Sequence, residues 1–137
     1  MATEFLDTNV VIRYLTQDNP DQTARATKLL QQIESGERQM TTCEGVLVEI
    51  VQVLSSKRLY NLPRSDIASA LTNILRLRGL HLPHGSTYLR ALEIYASTSL
   101  DFVDALAVAH MEREGIQTIV SFDRHFDRLP QITRHEP

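Results

Sequence analysis

Five carboxylates occupy positions at which a purely structural protein has little reason to place them. Two follow short apolar runs that predict strands, one interrupts an apolar helix, and two stand at the start of another helix. The five are Asp7, Glu49, Asp101, Asp104 and Asp123. Each also has a structural interpretation. Asp7, Asp101 and Asp123 could cap helices, and Glu49 could be a solvated rim residue. The negative charge of Asp104 could be favourably placed near a helix N-terminus.

Taken together, the carboxylates predict a cation site. In an open α/β sheet, residues at the carboxyl ends of strands converge on one edge. Two unit charges about 4 Å apart repel by ~4 kcal/mol near a protein surface, so several carboxylates cannot all stay ionised there without a cation. Oxygen ligands alone suit a hard ion, Mg²⁺ or Mn²⁺. Such a site can activate water and offset charge on a phosphate.

The elements that must position these residues alternate along the chain. Strands are predicted to end near residue 7 and to span 39–41, 80–82, 118–120 and 132–133. Helices are predicted after residue 7 and over 20–35, 43–54, 63–78, 87–97 and 101–114. The last helix is apolar on nearly all sides, which predicts burial. The alternation predicts an α/β fold with a parallel sheet covered by helices.

Length and composition exclude several classes of protein. A chain of 137 residues fits one domain, spanning 1–137. The single cysteine, Cys43, excludes a disulfide framework and suits a reducing cytoplasm. Neither a membrane span nor a secretory signal is predicted. The formal net charge is −3. Binding of nucleic acid would therefore need a local basic patch, or a metal that offsets the acidic residues.

Four segments resemble, in order and spacing, the successive motifs of PIN domains, and of VapC-type toxins in particular. They are FLDTNV at 5–10, VLVEIV at 46–51, DFVDAL at 101–106 and VSFDR at 120–124. The resemblance covers almost the whole chain. It implies a three-layer α/β/α sandwich with a short parallel sheet.

The resemblance also implies two sets of site residues. The catalytic, metal-binding set would be Asp7, Glu49, Asp104 and Asp123. The secondary set, which shapes the site, would be Asp101, Thr8 and Ser121. His125 stands where relatives often have another acidic or polar residue.

The implied activity is cleavage of RNA by a Mg²⁺- or Mn²⁺-dependent endoribonuclease, the toxin of a type II toxin–antitoxin pair. A metal-activated water would attack phosphorus in line, leaving a 5′-phosphate and a 3′-hydroxyl. Five basic residues are candidates for contacts with RNA phosphates, although a solvated surface is an equally open interpretation. They are Arg124, Arg128, Lys57, Arg58 and Arg64.

The resemblance also implies partners. The toxin would form a homodimer and would be silenced by a small antitoxin. That antitoxin would lay a helix and an extended tail into a groove between the helices at 23–33 and 46–75.

Other functions fit the sequence less well. A haloacid dehalogenase phosphatase needs a second aspartate two residues after the first, where this chain has Asn9. A receiver domain needs an adjacent acidic pair and a late lysine, and both are missing. A PIN-like domain that binds RNA or protein without catalysis would lack some of the four main carboxylates, and all four are present. His110, on the buried helix, is expected to be a satisfied core residue rather than a ligand.

Overall fold

The computed structural model describes residues 2–137, and most of this chain is helical. The helices are α1 (Thr8–Thr16), α2 (Pro20–Ser35), α3 (Glu44–Ser55), α4 (Arg64–Leu75), α5 (Gly85–Ser97) and α6 (Phe102–Glu114). The strands are β1 (Glu4–Phe5), β2 (Met40–Thr41), β3 (Thr118–Val120) and β4 (Thr133–His135), and a short 3₁₀ helix covers Arg124–Arg128. The alternation of strands with helices follows the sequence prediction.

The strands pair in parallel, but they form two separate ladders rather than one sheet. β1 pairs with β2, placing Glu4 opposite Met40, and β3 pairs with β4, placing Thr118 opposite Thr133. The strand predicted at 80–82 is reduced to a single bridge between Met40 and Leu80. Strands of two or three residues supply few ladder hydrogen bonds. The helices therefore carry most of the packing.

The second helix begins and ends as its sequence predicts. Pro20 occupies the first turn, where its missing N–H has no cost, and the side chain of Asn19 accepts a hydrogen bond from the backbone of Gln22. Gly36 ends the helix with φ +80°, a conformation that side chains disfavour.

Gly79 does not end α4, which stops at Leu75. A Cβ at Gly79 would lie 2.3 Å from the carbonyl oxygen of Arg38 and 2.6 Å from that of Ile33. The glycine is needed because two chain segments approach closely there, and its N–H donates to the Ile33 carbonyl at 2.8 Å. The prediction that this helix runs to residue 78 is wrong, since the chain leaves the helix after Leu75.

The core lies where the apolar faces of the helices meet. Leu54 of α3, Leu71 of α4 and Ala105 of α6 are fully buried within one hydrophobic cluster. The burial predicted for α6 is confirmed along most of its length, but Val103 is 54% exposed. The first turn of α6 therefore faces open space on one side. No helix within residues 2–137 is long and apolar enough to cross a membrane.

Candidate active site

Asp7 stands between β1 and α1, with its carboxylate exposed. It occupies the N-cap position of α1, yet its side chain makes no capping hydrogen bond. The residues on either side, Leu6 and Thr8, are buried, and the hydroxyl of Thr42 donates to the Leu6 carbonyl at 2.9 Å. The backbone at Asp7 is thus fixed while its carboxylate stays available.

Asp101 and Asp104 stand at the start of α6. Asp101 is the N-cap residue but, like Asp7, makes no side-chain capping bond. Asp104 lies in the first turn and is half-buried. Desolvation raises the pKa of Asp104, and the charges of Asp123 and Asp101 raise that pKa further, while His125 acts in the opposite direction. Two further carboxylates, those of Asp101 and Asp123, therefore lie close enough to Asp104 to destabilise its ionised form.

Asp123 follows β3 and caps the short 3₁₀ helix, as its structural interpretation predicted. Its Oδ1 accepts a hydrogen bond from the backbone N–H of His125 at 2.9 Å. The same oxygen lies 2.8 Å from Nδ1 of that histidine. The hydroxyl oxygen of Ser121 accepts the backbone N–H of Asp123 at 3.0 Å. Ser121 thus shapes the local backbone at Asp123.

Glu49 is exposed on α3 and has no hydrogen-bond or ion-pair partner among the described residues. This exposure agrees with the interpretation of Glu49 as a solvated rim residue, because the buried face of α3 is formed by Leu47, Ile50, Val51 and Leu54. Glu44, five residues earlier on α3, does have a partner: its carboxylate lies 2.6 Å from Nε2 of His110 on α6. His110 is thus satisfied as expected, although it is half-buried rather than part of the core.

The structure places Asp101, Asp123 and His125 near enough to Asp104 for their charges to act on its carboxylate. Neither Asp7 nor Glu49 is among the charges that act on Asp104. The expectation that all five carboxylates converge on one edge of a sheet is therefore met only in part. The two strand ladders share no hydrogen bonds. Strand pairing therefore does not fix the position of the strand end at Asp7 relative to the strand end at Asp123.

The donor set fits a hard cation whose coordination is completed from outside the protein. Nowhere in the described part of the chain do three His, Cys, Asp or Glu side chains lie close enough to hold a metal ion by themselves. Mg²⁺ commonly keeps several waters and is bound by one or two carboxylates plus substrate phosphates. Asp101, Asp104 and Asp123 offer only carboxylate oxygens in mutually repulsive positions, which is the chemistry such an ion favours.

A cavity of about 690 Å³ opens beside two of these carboxylates. It lies between α3, the turn that leads to α4, and the start of α6. Asp101 and Asp104 line one part of it, and Lys57 lines another. Gln52 and Asn61 also line this cavity. Sequence reasoning did not select either residue, since a lone amide side chain in a helix or turn carries no signal.

The predicted basic residues occupy different environments. Lys57, Arg58 and Arg124 are exposed, and Arg128 donates to the Ser99 hydroxyl at 2.6 Å. Arg64 is committed to the fold. Its Nε donates to the Tyr95 carbonyl at 3.0 Å and its Nη2 to the Leu100 carbonyl, while its guanidinium lies 3.8 Å from the centroid of the Tyr95 ring. Arg64 is therefore an anchor between α4 and α5 rather than a free phosphate ligand.

Comparison with known proteins agrees with these features. The profile of the PIN domain family matches residues 5–132. A VapC ribonuclease from Aquifex aeolicus (strain VF5) is 23% identical over 126 residues, which cover 92% of this chain and 91% of that protein. The span that matches the family, residues 5–132, contains all five carboxylates. On the extent of this match, the chain belongs to the PIN domain family.

Proposed function

We propose that this chain is a Mg²⁺- or Mn²⁺-dependent endoribonuclease and the toxin of a toxin–antitoxin pair. The observation that carries the proposal is that Asp101 and Asp104 line one cavity of a PIN domain, where the charge of Asp123 also acts on Asp104. Similarity to a protein named VapC ribonuclease supports the finer assignment. We assign residues 1–137 to a single PIN domain with the family's three-layer α/β/α arrangement. We also propose that it acts in the cytoplasm, a reducing compartment that suits a chain with a single cysteine.

In this proposal the cation is held by Asp104 and Asp123, with Asp7, Glu49 and Asp101 contributing around it. When bound, the ion lowers the pKa of water and offsets negative charge on the phosphate. The protein itself must bind and orient the RNA strand. Lys57 lines the same cavity as Asp101 and Asp104. Arg58 and Arg124 are also exposed, and all three cations are suited to phosphate contacts. Cys43 is exposed and free, and no nucleophilic side chain is required.

The antitoxin is proposed to occupy the groove beside α2 and α4. A cavity of about 440 Å³ lies between α1, α2 and α4, and Leu15, Leu30 and Ile74 are among the side chains that line it. Its apolar lining suits the apolar face of a partner helix. A homodimer of the toxin belongs to the same proposal.

The alternative is a catalytically silent PIN-like domain that binds RNA or protein. One observation favours it: within the described residues, no three metal-binding side chains are already grouped around a common point. The effect of added or removed metal ion distinguishes the two functions, since only the nuclease requires a bound cation.

Cleavage of a mixed RNA pool by the purified chain tests the proposal, with Mn²⁺ in one arm and a chelator in the other. We expect cutting that requires the metal and that Asp7→Asn lacks. If well-folded chain, free of copurified antitoxin, cuts none of several RNA classes, the binding domain becomes the better assignment.

A further inference from the structure

Arg64 stands at the first position of α4, where a basic side chain is locally unfavourable. The N-terminal end of a helix carries partial positive charge, so a guanidinium there does not stabilise the helix itself. A residue that breaks a local rule is expected to have its role in the tertiary structure. Arg64 is half-buried, and its hydrogen bonds lead away from α4, to the end of α5 and to the loop between α5 and α6.

The Arg64 guanidinium binds two backbone carbonyls close to the start of α6. Its Nε donates to the carbonyl of Tyr95 in the last turn of α5, where carbonyl groups have no partner within the helix. Its Nη2 donates to the carbonyl of Leu100, the residue directly before Asp101. Leu100 is buried, so its carbonyl is shielded from water and needs a donor from the protein.

The Tyr95 ring extends this contact to the other side of Asp101. The Arg64 guanidinium lies 3.8 Å from the centroid of that ring. The ring in turn meets Phe102, the first residue of α6, edge to face, with centroids 5.7 Å apart and planes at 88°. Tyr95 and Phe102 are both buried. Arg64 therefore holds both neighbours of Asp101, Leu100 through its carbonyl and Phe102 through the Tyr95 ring.

We propose that Arg64 and Tyr95 are positioning residues that fix the start of α6 and, with it, the carboxylates of Asp101 and Asp104. The inference rests on the proposed function for the role of these two carboxylates. Neither carboxylate has a hydrogen-bond or ion-pair partner within residues 2–137. Because no side-chain contact restrains them, their positions depend on the backbone from which they project.

Lysine at position 64 would keep the charge but lose the geometry. A guanidinium is planar, donates from several N–H groups in fixed directions and stacks on an aromatic face, whereas an ammonium group is a compact point charge. Arg64→Lys therefore tests the shape of the contact separately from its charge. Arg76→Lys, at an exposed arginine that follows the last residue of α4, is the matched control.

Hydrogen exchange of the metal-free protein tests the positioning without catalysis. The backbone N–H of Ala105 donates to the Asp101 carbonyl at 2.9 Å and reports on the first turn of α6. The backbone N–H of Gly79 donates to the Ile33 carbonyl at 2.8 Å and reports on the chain beyond the far end of α4. In Arg64→Lys we expect exchange at Ala105 to be faster by about ten-fold or more, with Gly79 unchanged. Arg76→Lys should change neither, and equal acceleration at both amides in Arg64→Lys would overturn the inference.

Cleavage of RNA with Mn²⁺ measures what the positioning contributes to the reaction. In Arg64→Lys we expect kcat to fall by about ten-fold or more with little change in KM. Arg64→Gln should leave the slope of log RNA affinity against log salt at its wild-type value. A slope reduced by about one would instead make Arg64 a phosphate ligand and would overturn the inference.

Tyr95→Leu removes the ring and keeps the backbone carbonyl. If the two residues act as one unit, the double variant with Arg64→Lys should lose about as much kcat as the more impaired single variant. Losses that multiply would contradict the pairing. Leu71→Ala, at a fully buried position of α4, lowers stability without touching this contact. Measured well below every Tm, it should retain the wild-type kcat.

The exchange and cleavage measurements separate this inference from the proposed function. A wild type that cuts no RNA, combined with selective exchange at Ala105 in Arg64→Lys, removes the nuclease and leaves the positioning role of Arg64. Metal-dependent cutting that Arg64→Lys retains as fully as Arg76→Lys leaves the nuclease and removes the positioning role.

Discussion

Arg134 binds Asp127 at two points, with Nε 2.9 Å from Oδ1 and Nη2 3.2 Å from Oδ2. Its Nη1 donates to the Ser121 carbonyl at 3.0 Å and to Glu136 at 3.1 Å. Ser121 and Asp127 flank Asp123 in sequence, so one guanidinium holds both ends of the segment that carries this carboxylate. The Arg134 side chain is only 12% exposed, which keeps the contacts partly shielded from water.

Arg134→Gln should therefore reduce cleavage without removing any group that contacts RNA. Loss of the two-point contact lets the segment around Asp123 move, and a misplacement of about 1 Å can cost on the order of 100-fold in rate. We expect kcat to fall by roughly ten-fold or more with little change in KM. Arg38→Gln breaks the similar two-point contact with Glu4 and is the control. Equal kcat losses in both variants would mean that Arg134 acts only through general stability.

The same contact predicts a dependence of stability on pH. The hydrogen bond that the Asp127 carboxylate accepts from Arg134 lowers the pKa of Asp127. The folded protein therefore releases this proton more readily than the unfolded chain does. The stabilisation is present above the ordinary aspartate pKa and is lost as the pH falls through the lowered value. The Tm of Asp127→Asn should lie below that of the wild type near neutral pH and approach it in acid. A gap that does not narrow in acid would contradict this account.

Asp7→Asn should abolish cleavage and leave the fold intact. The Asp7 side chain is exposed and makes no capping bond, and asparagine is as good an N-cap residue as aspartate. We expect activity to fall by at least about 100-fold, with Tm within about 2 °C of the wild type. Asp66→Asn, in the first turn of α4, is the control for an exposed aspartate at a helix start. Unfolding of Asp7→Asn would show instead that Asp7 is chiefly structural.

Glu49→Gln should weaken Mn²⁺ binding, because the carboxylate is exposed and has no partner in the described chain that would compete with a cation. We expect the affinity measured by calorimetry to fall by about ten-fold or more. Glu37→Gln changes a glutamate on the turn after α2 and should leave the affinity unchanged. An unchanged Mn²⁺ affinity in Glu49→Gln would remove Glu49 from the site.

Local signals in the sequence predicted the elements well. Pro20 and Gly36 bound α2 as predicted, because a proline at a helix start and a glycine at its end act through neighbouring backbone only. The role of Gly79 could not be predicted, since it depends on carbonyl groups of Ile33 and Arg38, far away in sequence.

The candidate site was predictable in its residue types but not in its arrangement. Spacing placed Asp101 and Asp104 at the start of one helix, where the structure has them. That the charge of Asp123 acts on Asp104 depends on tertiary packing, which no local pattern encodes. The commitment of Arg64 to Tyr95 and the contact of Arg134 with Asp127 are also products of tertiary packing.

Asp104→Asn should stabilise the protein while abolishing cleavage. Desolvation and the charges of Asp123 and Asp101 raise the pKa of Asp104, so the folded protein binds this proton more tightly than the unfolded chain does. Stability therefore falls as the pH rises from the ordinary aspartate pKa through the raised one, and the full cost remains above it. Asparagine removes that cost, so the Tm of Asp104→Asn should exceed that of the wild type at neutral pH, with a gap that closes in acid.

Added Mn²⁺ should reverse the order of the Tm values, so that the wild type becomes more stable than Asp104→Asn. An ion that binds only the folded state stabilises it by about 2.7 kcal/mol at 100 times its Kd, and Asp104→Asn should lose most of this gain. Scanning calorimetry with and without Mn²⁺ at neutral pH measures both effects. A Tm that rises equally with Mn²⁺ in the two proteins would place the ion away from Asp104. A lower Tm for the metal-free variant would mean that the Asp104 charge stabilises the fold.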